Sequence, residues 1–312
     1  MFLVCGEALF DFFLESETGP ASATYAARAG GSPFNVAVGL ARLGVGSGLL
    51  CGLSTDLLGA RLGQVLADEG VSTRYAVPTD RPTTLSLVGL DAAGVPAYQF
   101  YGRGSADIGL AAEDLRIPGD EVVGLHFGSY SIAAAPVADA MARLALMDER
   151  RFVSLDPNVR LNVEPDLDIW RERLEVLASR ADALKVSAED LDLLRPGAAH
   201  ENVAADFISK GVSLVVITDG GDMAVGWSAG GVRAAATPPA TTVVDTVGAG
   251  DTFQAVLIES LLRAPEGPRA AAREVNGDRL GAMLARCARA AAITCSRRGA
   301  DLPRAAELEE QG

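Results

Sequence analysis

The chain has 312 residues, 49% of them hydrophobic, with a formal net charge of −14 and a pI near 4.6. That size allows one large α/β domain or two domains, and so acidic a surface repels phosphate backbones and anionic bilayers, so neither nucleic acid nor a membrane is an expected partner. Four scattered cysteines without a Cys-x-x-Cys pair and only two histidines argue against a disulfide framework, a zinc finger, a His-rich metal site and Ser-His-Asp catalysis.

Phe2 to Cys5 is a short apolar run that reads as a buried strand ending at Gly6-Glu7. Glu7 arrives too early for a secretion signal, and no apolar run approaches about 18 residues, so a cytoplasmic chain without a membrane span is expected. Asp11 lies inside the apolar stretch Ala8 to Phe13, either paired or facing a polar ligand. Next comes Gly30-Gly31-Ser32-Pro33-Phe34-Asn35, where Ser32 suits an N-cap and Pro33 the first helical position. Val36, Leu40 and Leu43 continue at helical spacing, and Gly44 suits the stop. Asn35 falls in the first turn of this helix.

Leu49 to Leu53 reads as a strand and Leu57 to Leu66 as a helix ending at Gly70. Thr83 to Leu90 and Ala97 to Tyr101 are rich in β-branched and aromatic residues, with a hairpin turn expected at Asp91-Ala92-Ala93-Gly94. After Pro118, buried strands are expected at Val122 to Phe127, Phe152 to Leu155, Ala183 to Val186 and Leu214 to Ile217. Helical patterns alternate with them at Val137 to Met147, Ile169 to Leu177 and Val203 to Ile208. This rhythm predicts a mostly parallel sheet covered on both faces, with ligands at the carboxyl ends of its strands. Asp156-Pro157-Asn158, Lys185-Val186-Ser187 and Thr218-Asp219-Gly220 all follow strands.

Two glycines and an alanine in Asp245-Thr246-Val247-Gly248-Ala249-Gly250-Asp251 precede the apolar run Phe253 to Leu262. The run reads as a helix with Asp251 at or near its N-cap, and the amides of Val247 to Asp251 would converge on an anion such as phosphate. On these residues alone Asp251 is either a helix cap or a base beside a phosphate site. Arg263 to Asp278 reads as a charged loop, Arg279 to Ile293 as the last long helix, and the tail beyond Pro303 as a surface helix or frayed end. His126 and the four cysteines read as packed core residues.

Taken in order, six segments resemble the ribokinase-like (PfkB) carbohydrate kinase family. They are Gly6 to Asp11, Gly30 to Ala37, Asp156 to Arg160, Lys185 to Ser187, Asp245 to Phe253 and Ala290 to Ala300, spread over nearly the whole chain. Phe100 to Asp107 and Leu125 to Ser129 are most similar to bacterial fructokinases. The resemblance implies one ribokinase-like α/β domain over residues 1–312, with a discontinuous β lid from about 9–29 and 83–101 and homodimer formation through it. It implies ATP-dependent phosphorylation of a sugar hydroxymethyl group, with Asp251 as base and Gly248, Ala249 and Gly250 around the transferred phosphoryl. Asp11, Gly31 and Asn35 match sugar-binding positions. Arg160 is either near the sugar and phosphate or in a surface ion pair. Lys185, Thr218 and Gly220 match the nucleotide side. Magnesium would be held mainly by ATP and water, with Asp190 acting through water. Asp245, Val247, Thr294 and Gly299 match motifs that often build a monovalent-cation (K⁺) site. Fructose is the expected substrate. Rivals are 2-keto-3-deoxygluconate, for which Arg103 or Arg160 would meet the carboxylate, ribose or a nucleoside, and a non-catalytic sugar- or nucleotide-binding regulator on the same fold.

Overall fold

The computed structural model describes residues 1–90, 96–147 and 149–309. In chain order, β1 (Phe2–Cys5) is followed by the hairpin β2 (Leu9–Gly19) and β3 (Ser22–Gly30), then α1 (Ser32–Arg42). Next come β4 (Ser47–Leu50), β5 (Gly52–Ser54), α2 (Leu57–Asp68), β6 (Val77–Thr79), β7 (Thr84–Leu90) and β8 (Pro96–Tyr101). The alternating part runs β9 (Gly124–Gly128), α3 (Val137–Met147), β10 (Phe152–Asp156), α4 (Leu167–Ala178), β11 (Ala183–Ser187), α5 (Ala188–Leu194), α6 (His200–Ser209) and β12 (Leu214–Asp219). It closes with β13 (Met223–Ser228), β14 (Arg233–Ala236), α7 (Ala249–Leu262), α8 (Pro268–Glu274), α9 (Gly277–Cys295) and α10 (Ala305–Glu309).

Eight strands form one sheet in the order β14-β13-β12-β11-β10-β9-β1-β4. Its pairings are parallel except for those of β13, which runs against both neighbours. Strand residues alternate between two cores. Val4, Phe152, Leu214 and Val216 pack with apolar residues of α1, α7 and α9. Leu3, Leu125, Val153, Leu184 and Val215 pack on the other face with those of α3, α4 and α6. A separate four-stranded sheet, β3-β2-β7-β8, joins β2 to β7 in parallel between two antiparallel pairs. The predicted α/β architecture and the small β layer are therefore present.

Several local expectations change. Leu49 to Leu53 is two strands, β4 in the large sheet and β5 paired with β6, because Cys51 lies between the two pairings. Gly31, at φ 104°, caps α1, and Ser32 is its first residue with Pro33 beside it. The loop expected at Arg263 to Asp278 contains α8, which starts at Pro268. Asp91 to Gly94 lies outside the described residues. Among the described residues no helix is long and apolar enough to cross a membrane.

Candidate active site

The site is built where α7 begins. Gly248 caps α7 in the left-handed conformation at φ 81°, and a Cβ there would lie 2.6 Å from the Cβ of Ala300. Only glycine meets both demands. Asp251 is therefore the third helical residue rather than the cap. Its side chain leaves its own helix and turns to the start of α1. Ser32 Oγ donates to its Oδ1 at 2.6 Å, and Asn35 Nδ2 donates to its Oδ2 at 2.7 Å. The expected amide nest is narrower than Val247 to Asp251. Val247 N donates to Asp245 Oδ1 at 3.0 Å, and Ala249 N to the Thr246 carbonyl at 3.2 Å. Among the described residues the amides of Gly248, Gly250 and Asp251 meet no protein acceptor, and they stand at the positive end of α7.

A second arm comes from the carboxyl ends of β10 and β11. Lys185 Nζ lies 2.8 Å from Asp156 Oδ2, and both side chains are almost wholly buried. Among the described residues the other oxygen of Asp156 has no hydrogen-bond partner. A Cβ on Gly250 would come within 3.2 Å of Lys185 Nζ, so the ammonium sits beside the glycine-rich turn. Asp190 is buried in the first turn of α5 and accepts the Val159 amide at 3.1 Å. That bond pins the segment 156–160, in which Asn158 takes a left-handed φ of 43°. Arg160, within this segment, donates to the carbonyls of Asn158 and Val159. Burial pushes the carboxyl pKa values of Glu7, Asp11, Asp190 and Asp251 up, and the charge of Arg160 opposes that shift in all four. The charge of Arg160, exposed at the end of this segment, thus acts on all four acids.

The remaining sequence candidates fall into two groups. Asp11 is half-buried on β2 and close to Gly30, where a Cβ would meet its Oδ2 at 2.8 Å. Its carboxyl feels the charges of both Arg160 and Asp251, so the small sheet reaches the site. Thr218 is the penultimate residue of β12, opposite Ser187, and Gly220, at φ 45°, forms the turn into β13. These two flank the Lys185 strand on its outer side. Asp245 is saturated: Val247 N and Gly299 N both donate to it, the second at 2.8 Å. Thr294 Oγ1 is engaged with Thr252 Oγ1 at 2.7 Å. These contacts lash the glycine-rich loop to the end of α9. Among the described residues no group of three or more His, Cys, Asp or Glu side chains is arranged to hold a metal ion.

Three features escaped the sequence reading. Glu7, after β1, is 1% exposed and accepts the Ser32 amide on Oε1 at 3.2 Å. Asp107, also buried, accepts hydroxyl hydrogen bonds from Thr84, Ser105 and Tyr130, which ties β7 of the small sheet to the main body. His126 is buried as expected but only half satisfied. Its Nδ1 meets Ser154 Oγ at 3.2 Å, while Nε2 has no partner. Burial, then the charge of Lys185, holds its pKa down near 3, so the ring stays neutral. Cys5, Cys51 and Cys287 are core residues, whereas Cys295 is half-exposed. An acid directly after an apolar strand was the available signal for Glu7; nothing local marks Asp107 or the partners of His126.

A buried carboxylate, unpaired amides and a lysine at one helix mouth, on the carboxyl edge of a mostly parallel sheet, define a phosphoryl-transfer site. Residues 1–306 match the pfkB family of carbohydrate kinases, and the chain belongs to that family. A fructokinase of Rhizobium leguminosarum bv. trifolii is 37% identical over 265 residues, covering 84% of this chain and 79% of that protein. A fructokinase of Escherichia coli is 31% identical over 314 residues, covering 99% and 98%. Among solved structures, a fructokinase from Xylella fastidiosa with bound ATP superposes with a TM-score of 0.87 at 25% identity, covering 99% of this chain and 97% of that one.

Proposed function

We propose that the protein transfers the γ-phosphoryl group of ATP to the hydroxymethyl group of D-fructose, giving fructose 6-phosphate. The observation that carries this reading is the placement of Asp251. Its carboxylate is held by two neutral donors, Ser32 and Asn35, next to the free amides of Gly248 and Gly250. A carboxylate so placed can take the proton of an attacking hydroxyl while the amides receive charge developing on the phosphoryl oxygens. Lys185 supplies a fixed positive charge at the same point, and Arg160 offers a second from the opposite loop. Asp11, Gly31 and Asn35 present acceptor and donor groups to sugar hydroxyls. Thr218 and Gly220 lie toward the nucleotide. The fructokinase relatives and the ATP held by the Xylella protein support the choice of substrates.

Magnesium fits this site as a companion of ATP rather than as a resident ion. Asp190 is the acid available to it, with one oxygen already committed to Val159, so the metal's other ligands come from phosphates and water. Bound, it neutralises phosphate charge. A potassium ion would draw on main-chain oxygens of Asp245, Val247, Thr294 and Gly299, because the side chains of Asp245 and Thr294 are engaged. The small sheet, from about 9–29 and 83–101, acts as a discontinuous lid on a single domain and is the surface through which two copies pair. Closing it over bound sugar excludes water from the phosphoryl group. The protein works in the cytoplasm, where ATP is available and its four free cysteines stay reduced.

The test is a comparison of kcat/KM for fructose, ribose and 2-keto-3-deoxygluconate with Mg-ATP, together with ATP hydrolysis in the absence of sugar. Fructose should lead by at least about tenfold, the scale of one net hydrogen bond, and hydrolysis without sugar should be slow. A lead for 2-keto-3-deoxygluconate would give the exposed Arg103 or Arg160 a carboxylate to bind. No turnover with any sugar would sink the reading in favour of a binding module.

A further inference from the structure

Ser32 serves two acids at once. Its hydroxyl donates to Asp251, and its amide, the first of α1, donates to Glu7. Glu7 also packs against the turn before it: a Cβ on Gly31 would meet Glu7 Cγ at 3.1 Å and the Glu7 carbonyl oxygen at 3.2 Å. The position of the Ser32 hydroxyl is thus set from behind by a buried residue bonded to the Ser32 amide. Among the described residues no hydrogen bond of good geometry reaches the buried Oε2 of Glu7, and a looser one from the Ser129 hydroxyl to the carboxyl only partly offsets its burial. A carboxylate in that state is costly, whereas a neutral carboxylic acid is tolerable.

We propose that Glu7 is a positioning residue for phosphoryl transfer, acting as a neutral acid that fixes the Gly31–Ser32 turn and so aims the Ser32 hydroxyl at Asp251. The proposal rests on the kinase reading above. The groups around Glu7 agree with it. Asp107 from the loop after β8 and Asp251 from α7 disfavour a charge on Glu7. Ser129, after β9, and Arg160, after β10, favour one. Burial outweighs the rest and raises the Glu7 pKa to about 8. As pH rises through that value Glu7 gains a negative charge behind the Ser32 turn and near Asp251, and the alignment of the Ser32 hydroxyl with Asp251 degrades.

The consequence for stability has a definite sign. A carboxyl whose folded pKa lies above its unfolded value stabilises the fold fully below about 4.5 and loses that contribution as pH rises through about 8. Relative to Glu7→Gln, which is always neutral, the wild-type melting temperature should therefore fall between these values and level off above them.

The experiment compares wild type, Glu7→Gln and Glu7→Ala in two readouts. Turnover of the best sugar is measured from pH 6 to 10, and melting temperature over the same range and down to pH 4. Glu7→Ala should lose about 10²-fold in kcat, the scale of a small misalignment of reacting groups, with a smaller change in sugar KM. Glu7→Gln should recover most of that loss and should lack the alkaline fall of wild type. An alkaline fall that persists unchanged in Glu7→Gln, or full kcat in Glu7→Ala, overturns the proposal. If wild type turns over no sugar, the kinase reading fails, and the melting curves still judge Glu7. A wild-type to Glu7→Gln difference that does not vary with pH shows that folding leaves the Glu7 pKa unshifted and overturns its role as a neutral acid.

Discussion

Helix α7 buries one acid near each end, Asp251 in its first turn and Glu259 in its last, and the two are treated in opposite ways. Asp251 is held by a hydroxyl and an amide, both neutral, with Lys185 and Arg160 acting from further off. Glu259 is clamped directly by Arg286 of α9 and Arg263. The macrodipole accounts for part of the difference. Near the N-terminus a negative charge is favoured, and near the C-terminus it is opposed, so only the second acid needs counter-ions for its burial. The remainder is chemistry. In the proposed role as base, Asp251 has to keep its basicity, and a direct arginine pair would remove it. One end of the helix is organised around a charge that stays available, the other around a charge that is cancelled.

The sharpest way to break this comparison is Asp251→Asn. Asparagine keeps the size and can still accept one hydrogen bond, and Asn35 can flip its amide to meet it. If Asp251 is the base, kcat falls by about 10²–10⁴-fold, the usual range for a lost general base. The melting temperature should hold or rise slightly near neutral pH, since a buried carboxylate has been removed. The sign follows from its pKa, which burial raises. Protonating Asp251 favours the fold at low pH, and that contribution is lost as pH rises through the folded pKa. For the same reason the acid limb of wild-type kcat/KM should lie above the ordinary carboxylate range. A folded Asp251→Asn protein with most of its turnover intact would remove Asp251 from the mechanism.

At the other end, Glu259→Gln should do the reverse. Turnover of the folded protein stays within about twofold, because a surface or structural change away from the reacting groups leaves transition-state contacts unaltered. Stability falls by about 1–3 kcal/mol, the cost of leaving charged donors without their acceptor. The loss stays below that of a fully buried pair because Arg286 and Arg263 both reach solvent. Urea unfolding at pH 7 reads this directly. A loss of kcat with unchanged stability would show that the two ends of α7 are coupled.

The same contrast explains what the sequence disclosed. Asp251, the glycines before it and Asn35 stand in short motifs whose local chemistry points to a helix mouth, so the gathering of these residues at the start of α7 was legible. Glu259 is the one charged residue in the mostly apolar run Phe253 to Leu262. Its burial depends on Arg286, 27 positions later on α9, and no local pattern carries that information. Glu7 was hidden in the same way, since its partner is Ser32, 25 positions along. In the fold, the long apolar strands and amphipathic helices stood out through their periodicity. β14 did not, because Arg233–Ala236 is three alanines after an arginine, with little strand propensity of its own. It is held as a strand by its pairing with β13. The cap of α1 moved by one residue because Gly31 and Ser32 both suit the position, and Ser32 spends its hydroxyl on Asp251 instead of on its own helix.

Arg263→Ala gives the smallest effect and the finest test of how Glu259 is neutralised. The Arg263 side chain is 63% exposed, against 31% for Arg286. An exposed cation four residues along the same helix from its acid is worth about 0.3–0.5 kcal/mol in a typical case. Arg286 approaches Glu259 with two nitrogens, Nη1 to Oε2 and Nη2 to Oε1, the second at 3.3 Å. A paired contact of that kind fixes geometry as well as charge. With Arg263 gone, Glu259 therefore keeps its main counter-ion, and the loss should stay below about 1 kcal/mol and shrink further at high salt. Arg286→Ala, measured beside it, should cost clearly more and respond less to salt. Equal losses in the two variants would mean that solvent reaches Glu259 from the Arg263 side. The far end of α7 would then be a surface cluster, and the contrast with Asp251 would rest on the dipole alone.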